Sequence, residues 1–209
     1  VKLGYKQTEI GVIPEDWDLI LFEDCFSVLS NNTLSRAELN YNGGELQNIH
    51  YGDILVKFSA VTDCGAERLP YVNAELVKKV SKGFLRDGDI VIADTAEDNT
   101  VGKATEVVAV NGNKVVSGLH TIPCRAKDDK MFVPMWLGYF INHNTYHNQL
   151  LPYITGIKVS SISKSAIAGT MIAVPKPDEQ TKIVAALSDI DALITNLEKL
   201  IAKKKAIKA

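Results

Sequence analysis

The 209-residue sequence has little cysteine, no long hydrophobic run and no surplus of positive charge. Cys25, Cys64 and Cys124 are odd in number and widely spaced. They form neither a disulfide framework nor a zinc motif, and reduced cytoplasmic thiols are the plain reading. No stretch of about eighteen residues is uninterruptedly apolar, so no membrane span is expected. The opening Val1-Lys2-Leu3-Gly4-Tyr5-Lys6 lacks the apolar core of a secretory leader, and a cytoplasmic location is expected. Catalytic signatures are missing too. Gly102-Lys103 resembles the end of a phosphate-binding loop, but Glu97 stands where the first Gly belongs and Ala104 replaces Ser or Thr. There is no Asn-Pro-Pro-aromatic tetrapeptide, no Glu-x-Lys nuclease pair and no Gly-x-Ser-x-Gly elbow. Asp94, Glu97 and Asp98 read as a solvated acidic loop rather than a metal cradle.

What remains is a globular composition, 46% hydrophobic and 23% charged. The net charge of −2 counts against a surface that contacts phosphates. Its distribution says more than its total. Residues 1–30 hold six acids and two lysines, whereas residues 131–177 hold Lys158, Lys164 and Lys176 and no acid. That second stretch is rich in amides and hydroxyls, among them Asn142, Asn144, Thr145, Asn148, Gln149 and Tyr153. Such a surface meets a phosphate backbone without repulsion; a neutral, merely solvated stretch is an equal alternative.

The chain divides by periodicity into a globular part, residues 1–175, and a helix, residues 176–209. In the first part Tyr51-Gly52-Asp53-Ile54-Leu55-Val56 looks like a turn leading into a buried strand, and Asp87-Gly88-Asp89-Ile90-Val91-Ile92-Ala93 repeats that pattern. Residues 106–110 and 114–116 flank Asn111-Gly112, which suggests a hairpin. Thr170-Met171-Ile172-Ala173-Val174 reads as a further strand, closed by Pro175 and Pro177. One helix is expected from Pro134 to about Leu150, carrying Met135, Trp136, Tyr139, Phe140 and Ile141 at helical spacing. His143 and His147 lie four apart on it, but no third metal ligand accompanies them, and no metal is expected.

After Pro177 the sequence predicts one helix without Gly or Pro, capped by Asp178 and running to about Ile207. Ile183, Leu187, Ile190, Ile194, Leu197 and Ile201 alternate spacings of four and three, the seam of a coiled coil. Ala186, Leu193, Leu200 and Ile207 form a second stripe. An apolar face this wide must pack on another helix. Asp178 and Glu179 at the start and Lys203, Lys204, Lys205 and Lys208 at the end complement the helix dipole, and equally suit antiparallel self-association. The fold class expected is α+β, a mixed globular domain followed by a long coiled-coil helix.

Several segments together resemble a known family. Thr8-Glu9-Ile10-Gly11-Val12-Ile13-Pro14-Glu15-Asp16-Trp17 is similar to the opening of a target recognition domain in specificity subunits of type I restriction-modification systems. Leu85-Arg86-Asp87-Gly88-Asp89-Ile90-Val91 and Ser117-Gly118-Leu119-His120-Thr121 look like its internal signatures. Thr155-Gly156-Ile157-Lys158-Val159-Ser160-Ser161-Ile162 resembles the segment before its last strands. Val174-Pro175-Lys176-Pro177-Asp178-Glu179-Gln180 followed by Ile183 resembles the entry to its spacer helix.

The resemblance implies a non-catalytic subunit that reads double-stranded DNA. Residues 1–175 would be the target recognition domain and residues 176–209 the spacer and dimerisation helix. Methyltransferase subunits using S-adenosylmethionine and restriction subunits using ATP and Mg would dock on it, and the chain itself would need no cofactor. The family usually carries two recognition domains, so one domain with one helix implies a half-subunit or a fragment. A half-subunit that pairs through its helix would read an inverted repeat with an unread spacer.

Base contacts do not transfer by motif in this family, so candidates are nominated from loops. Lys57 and Ser59 follow an expected strand. Arg68 and Tyr71 flank Pro70. Thr95, Asn99, Thr100 and Lys103 lie after Ala93, and His120 and Thr121 follow Gly118. Thr155, Gly156, Lys158, Ser160 and Ser161 form the loop best suited to backbone contact, because it falls in the acid-free stretch. The competing reading is a coiled-coil adaptor that binds only protein; an enzyme with an unrecognised site is a third.

Overall fold

The computed structural model describes residues 3–208; Val1 and Lys2, the first residues of the opening segment expected not to be a leader, and Ala209 lie outside the described residues. The chain opens with the hairpin β1 (Tyr5–Thr8) and β2 (Gly11–Pro14), then β3 (Asp18–Leu21), the short α1 (Phe22–Cys25) and β4 (Phe26–Val28). β5 (Leu39–Asn40) and β6 (Gln47–Ile49) precede α2 (Tyr51–Val56). β7 (Val61–Asp63), β8 (Tyr71–Val72), β9 (Ile90–Ala93) and β10 (Thr95–Ala96) follow. β11 (Ala104–Val108), β12 (Val115–Ser117) and β13 (Thr121–Ala126) lead to α3 (Trp136–Asn142) and α4 (Asn144–Leu150). The last elements are β14 (Ser160–Ser161), α5 (Lys164–Ala168), β15 (Met171–Val174) and α6 (Pro177–Lys208).

β9 is the centre of the molecule. It lies in the middle of a five-stranded sheet of order β4-β13-β9-β11-β7, antiparallel except for the β11–β7 pair. Successive side chains of a strand point to opposite faces. Ile90 and Ile92 accordingly enter one core with Phe22, Trp136, Leu137, Phe140 and Tyr146, whereas Val91 and Ala93 enter a second with Ile49, Ile54, Phe58 and Val115. The turn feeding β9 is fixed by its Asp-Gly-Asp. Gly88 takes φ +84°, and the buried Asp89 carboxylate accepts from the Arg86 amide at 2.8 Å and from two nitrogens of Arg125 at 2.8 and 2.6 Å. A four-stranded sheet of order β12-β6-β8-β5 packs around a smaller core of Leu34, Leu46, Val72 and Val116.

Three local expectations are corrected. Residues 51–56 are helical, not a strand: the His50 ring caps the helix by accepting from the Gly52 amide at 3.1 Å, and Asp53 in the first turn pairs with Arg36 at 2.8 Å. A cap and a distant arginine override the β preference of Ile-Leu-Val. Lys57 therefore follows a helix. Secondly, Asn111 and Gly112 do reverse the chain, with φ of +49° and +78°, but no hairpin forms. β11 belongs to the five-stranded sheet while β12 pairs with β6 in the other, so the turn is a crossover between sheets.

Thirdly, the helix expected over 134–150 is two helices broken at His143, which is extended (φ −76°, ψ 146°) and caps α4 by accepting from the Thr145 amide. The His143 carbonyl still accepts from the His147 amide at 3.0 Å, but the His143 ring is taken up by the cap. The His147 ring lies 2.9 Å from the Val101 carbonyl, and no metal-holding cluster of three His, Cys, Asp or Glu side chains occurs among the described residues. The start of α3 is also unusual. Met135, its cap position, is left-handed and supplies no side-chain cap. Glu106 of β11 does so instead, accepting from the Met135 amide at 2.6 Å and the Gly138 amide at 2.9 Å.

The terminal helix starts at Pro177, so Asp178 lies in its first turn rather than at its cap. Its root is fastened to the globular part. Gln180 is wholly buried, donating to the Met131 and Pro175 carbonyls and accepting from the Val133 amide. The Trp17 indole donates to Glu179 at 3.0 Å, and the Tyr139 hydroxyl to Asp191 at 2.7 Å. Ile183 packs against the main core and Leu187 is half-buried. Beyond them Ile190, Leu193, Ile194, Leu197, Leu200, Ile201 and Ile207 are all exposed, Ile194 at 49% and Leu193 at 59%. The architecture is thus mixed α/β with a long C-terminal helix. None of the described helices is long and apolar enough to cross a membrane.

Candidate nucleic-acid interface

The organising feature is a two-strand clasp. β10 pairs antiparallel with β14, setting Thr95 opposite Ser161 and Ala96 opposite Ser160. The Ile162 amide continues the pairing to the Asp94 carbonyl at 2.9 Å. Two of the nominated loops, far apart in sequence, are thereby joined along one edge. His120 joins them from the β12–β13 connection. It sits at φ +54°, its carbonyl accepts from the Asp94 amide, and its Nδ1 lies 3.2 Å from the Thr95 hydroxyl and 3.4 Å from Asp94.

From His120 the contacts run on through residues that the sequence did not single out. The Tyr51 ring meets His120 edge-on at 5.2 Å and lies 4.7 Å from the ring of His50. His50 Nδ1 accepts from Gly52 and sits 3.5 Å from Arg36. Burial first, and the Arg36 charge second, lower the His50 pKa, which keeps its ring neutral. Arg36 grips Asp53 with two nitrogens at 2.8 and 2.9 Å and approaches the Tyr41 hydroxyl at 3.5 Å. Hydrogen bonding to Asp53 raises its pKa, so it is a permanent cation. The Arg68 guanidinium lies 5.2 Å over the same Tyr41 ring and donates to the Tyr41 carbonyl. Lys57 donates to the Arg68 carbonyl at 2.7 Å. From Lys57 and Arg68 through Tyr41 and Arg36, across the buried His50, to Tyr51, His120, Thr95 and Ser161 the contacts therefore form one connected path. Its sequence signal was faint, since Arg36, Tyr41 and Tyr51 lie outside any apolar run.

Other nominated residues lie differently. Thr121 is buried, its hydroxyl bonded to the Gly118 carbonyl and the Ser117 hydroxyl, so it is withdrawn as a contact. The alternation of β13 turns it inward. Lys103 donates to the Leu55 carbonyl at 3.0 Å, and burial lowers its pKa; it latches the 97–103 loop to the end of α2 rather than reaching outward. Thr100 bonds Asp98, the exposed Asn99 neighbours it, the Ser59 hydroxyl turns back to Val61, and Tyr71 lies half-buried on β8. Lys158 and Gly156 lie on the exposed tip between Thr155 and Ser160. Thr155 and Ser161 exchange backbone hydrogen bonds at 3.0 and 2.8 Å and close that tip. Three carboxylates near the path are engaged, Asp53 by Arg36, Asp94 by Thr95 and Glu67 by Lys57 at 3.7 Å, whereas Glu97, next to Ala96 of β10, is exposed.

A cleft of about 780 Å³ opens elsewhere, between residues 85–89, 110–113 and 128–134. Its charges are spoken for, Arg125 by Asp89, Arg86 by Asp129 and Glu106 by the start of α3.

The mixed α/β fold with a long terminal helix agrees with the comparisons. The family model described as the type I restriction modification DNA specificity domain matches residues 14–209. The chain belongs to this family. Curated relatives of this specificity domain include two proteins of Methanocaldococcus jannaschii. The putative type I restriction enzyme MjaX specificity subunit is 27% identical over 205 residues, which are 95% of this chain and 45% of the relative. The type I restriction enzyme MjaIX specificity subunit is 28% identical over 195 residues, 93% and 42% respectively. The chain spans less than half the length of these relatives. Solved structures share the fold. The HsdS subunit from Thermoanaerobacter tengcongensis superposes with a TM-score of 0.57 at 17% identity, covering 94% of this chain and 42% of that one. A chain from a structure of the type I R-M system gives 0.60 at 18% identity, covering 93% and 43%.

Proposed function

We propose that this specificity domain reads one half of a bipartite double-stranded DNA target within a type I restriction-modification enzyme, and performs no chemistry itself. The observation that carries the reading is the clasp of β10 with β14, which gathers Thr95, His120, Thr155, Gly156, Lys158, Ser160 and Ser161 onto one edge continuous with Arg36, Arg68 and Lys57. Hydroxyls, two lysines and two guanidinium groups linked along this edge, with Asp53, Asp94 and Glu67 engaged, suit phosphate positioning and groove contact. Residues 1–175 then act as the target recognition domain and residues 176–209 as a spacer. The helix beyond Ile190 self-associates through Ile190, Ile194, Leu197 and Ile201, whereas Ile183 and Leu187 serve mainly to seat it. Methyltransferase and restriction subunits assemble on this frame in the cytoplasm, bringing S-adenosylmethionine, ATP and Mg.

Fluorescence anisotropy against a random-sequence duplex, with and without the methyltransferase subunit, tests the reading. Binding that strengthens with the partner is expected, because the net charge of −2 leaves this chain with weak affinity alone. No binding in either condition sinks it. The exposed stripe of α6 supports a second reading, a coiled-coil adaptor that binds only protein, and capture of the partner without any DNA would favour that instead.

A further inference from the structure

The tip between Thr155 and Ser161 carries a side chain that the reading above leaves unused. Ile157 is fully exposed, at 104% of its reference area, and Leu151, Tyr153 and Val159 around it are also exposed. A bulky aliphatic group in water on a floppy loop would call for no account. This tip is held. Thr155 and Ser161 close it with paired backbone hydrogen bonds, and Ser161 is itself clasped to Thr95. Gly156 adopts φ +113°, and a Cβ there would lie 1.9 Å from the Val159 carbonyl oxygen, so only glycine fits this turn. The result is a braced hairpin with an isoleucine at its apex, Lys158 beside it, and hydroxyls of Thr155, Ser160 and Ser161 behind.

Apolar side chains presented in this way enter DNA between adjacent base pairs, unstacking and kinking the duplex. A partner protein would equally accept an apolar knob, but the tip's own stretch favours a polyanion: residues 131–177 contain no carboxylate, the lysine next to the apex is placed for the flanking phosphate, and the acids that approach are Glu97 and Asp98 beyond the paired strand. The geometry points to Ile157 as a wedge that inserts at a base step of bound double-stranded DNA. It positions and bends the duplex, and adds selectivity through the ease with which that step unstacks rather than through hydrogen bonds. This rests on the DNA-reading proposal and adds a residue to it.

The test selects duplexes from a random-sequence library with the full chain, alone and together with the methyltransferase subunit. The recovered duplex, carrying a fluorescent donor and acceptor at its ends, then serves for titration and for measuring bend by energy transfer. The expected result is that Ile157→Ala weakens binding roughly tenfold, removes the bend and leaves the salt dependence unchanged. Ile157→Leu should keep both affinity and bend. Lys158→Ala should keep the bend while weakening binding and flattening the salt slope. Because Ile157 is in solvent, the unfolding midpoint should not move. Equal affinity and bend for wild type and Ile157→Ala overturn the wedge while leaving DNA reading intact. An affinity loss with the bend retained overturns insertion in favour of a surface contact. Unchanged DNA behaviour with loss of methyltransferase capture overturns it in favour of protein docking. If wild type selects no duplex, the wedge and the DNA reading fall together.

Discussion

Glu106 offers the sharpest test of the physical account of the fold. Its side chain is buried at the centre of β11 and caps α3 from outside that helix, because Met135 gives no cap of its own. Burial pushes its carboxyl up from 4.5 to about 7, against the amides of Gly138, Met135 and Leu137 that pull it down. An acid whose pKa is higher folded than unfolded binds more protons in the native state. Its contribution to stability is complete below about 4.5 and is lost as pH rises towards 7 and beyond. A shift of this size corresponds to roughly 3 kcal/mol.

Glu106→Gln removes the ionisation and keeps one oxygen to accept an amide. Urea unfolding of both proteins from pH 4.5 to 8.5 should therefore show the difference in unfolding free energy drifting towards the variant by up to roughly 3 kcal/mol, most of it between pH 5 and 7.5. At pH 4.5 wild type should be the more stable, because the surplus amide hydrogens of Gln lack partners in a buried site. Subtracting the two curves cancels His50 and every other group common to both. A difference that stays flat with pH, within ~0.5 kcal/mol, would refute the assignment of a strained, burial-shifted acid.

Three further outcomes follow from named contacts. Lys158→Ala should weaken binding to the selected and to unrelated duplexes by similar factors and reduce the salt slope by about one, as measured by anisotropy titrations at several salt concentrations. Lys103→Met should do the opposite: its amine serves the Leu55 carbonyl, so hydrogen exchange of the 97–103 loop should quicken while the salt slope stays the same. Leu197→Asp, on the exposed part of α6, should convert any dimer seen by light scattering to a monomer without lowering the unfolding midpoint of the globular part.

Local rules made part of this molecule legible in the sequence. The run Ile90–Ala93 after Asp-Gly-Asp is the buried strand expected, and the uninterrupted chain after Pro177 is the long helix expected. The errors fell where a distant residue decides the outcome. Arg36 and the His50 ring turn residues 51–56 into helix, and Asn111-Gly112 specifies a reversal but not which sheet receives the next strand. The candidate interface divides in the same way. Gly156 and the hydroxyls at 155–161 marked a loop, but its union with Thr95 depends on a β pairing between segments far apart in the chain. Tyr41 and Tyr51 matter only through the rings and cations that the fold brings to them. Thr121 was misplaced because a loop nomination ignores the inward turn of the strand that it begins.

The terminal helix joins these features. Its exposed part, residues 190–207, is roughly 27 Å long at ~1.5 Å per residue. Over that length a small error of direction at the root becomes a displacement of several ångströms at the tip. The root is correspondingly the most heavily bonded part of the helix. Gln180 makes three backbone hydrogen bonds in a buried site, and Trp17 from the β2–β3 loop and Tyr139 from α3 bind Glu179 and Asp191. Tyr139 belongs to α3, whose first turn is held by Glu106 from the strand next to β9. The direction of the helix is thus referred through α3 to the same sheet that positions Ala93 and, one residue beyond Asp94, the Thr95 edge. A spacer seated on this root holds its axis in a fixed relation to the proposed DNA-facing edge, which a ruler for split DNA sites must do and an adaptor tethered by a flexible linker need not.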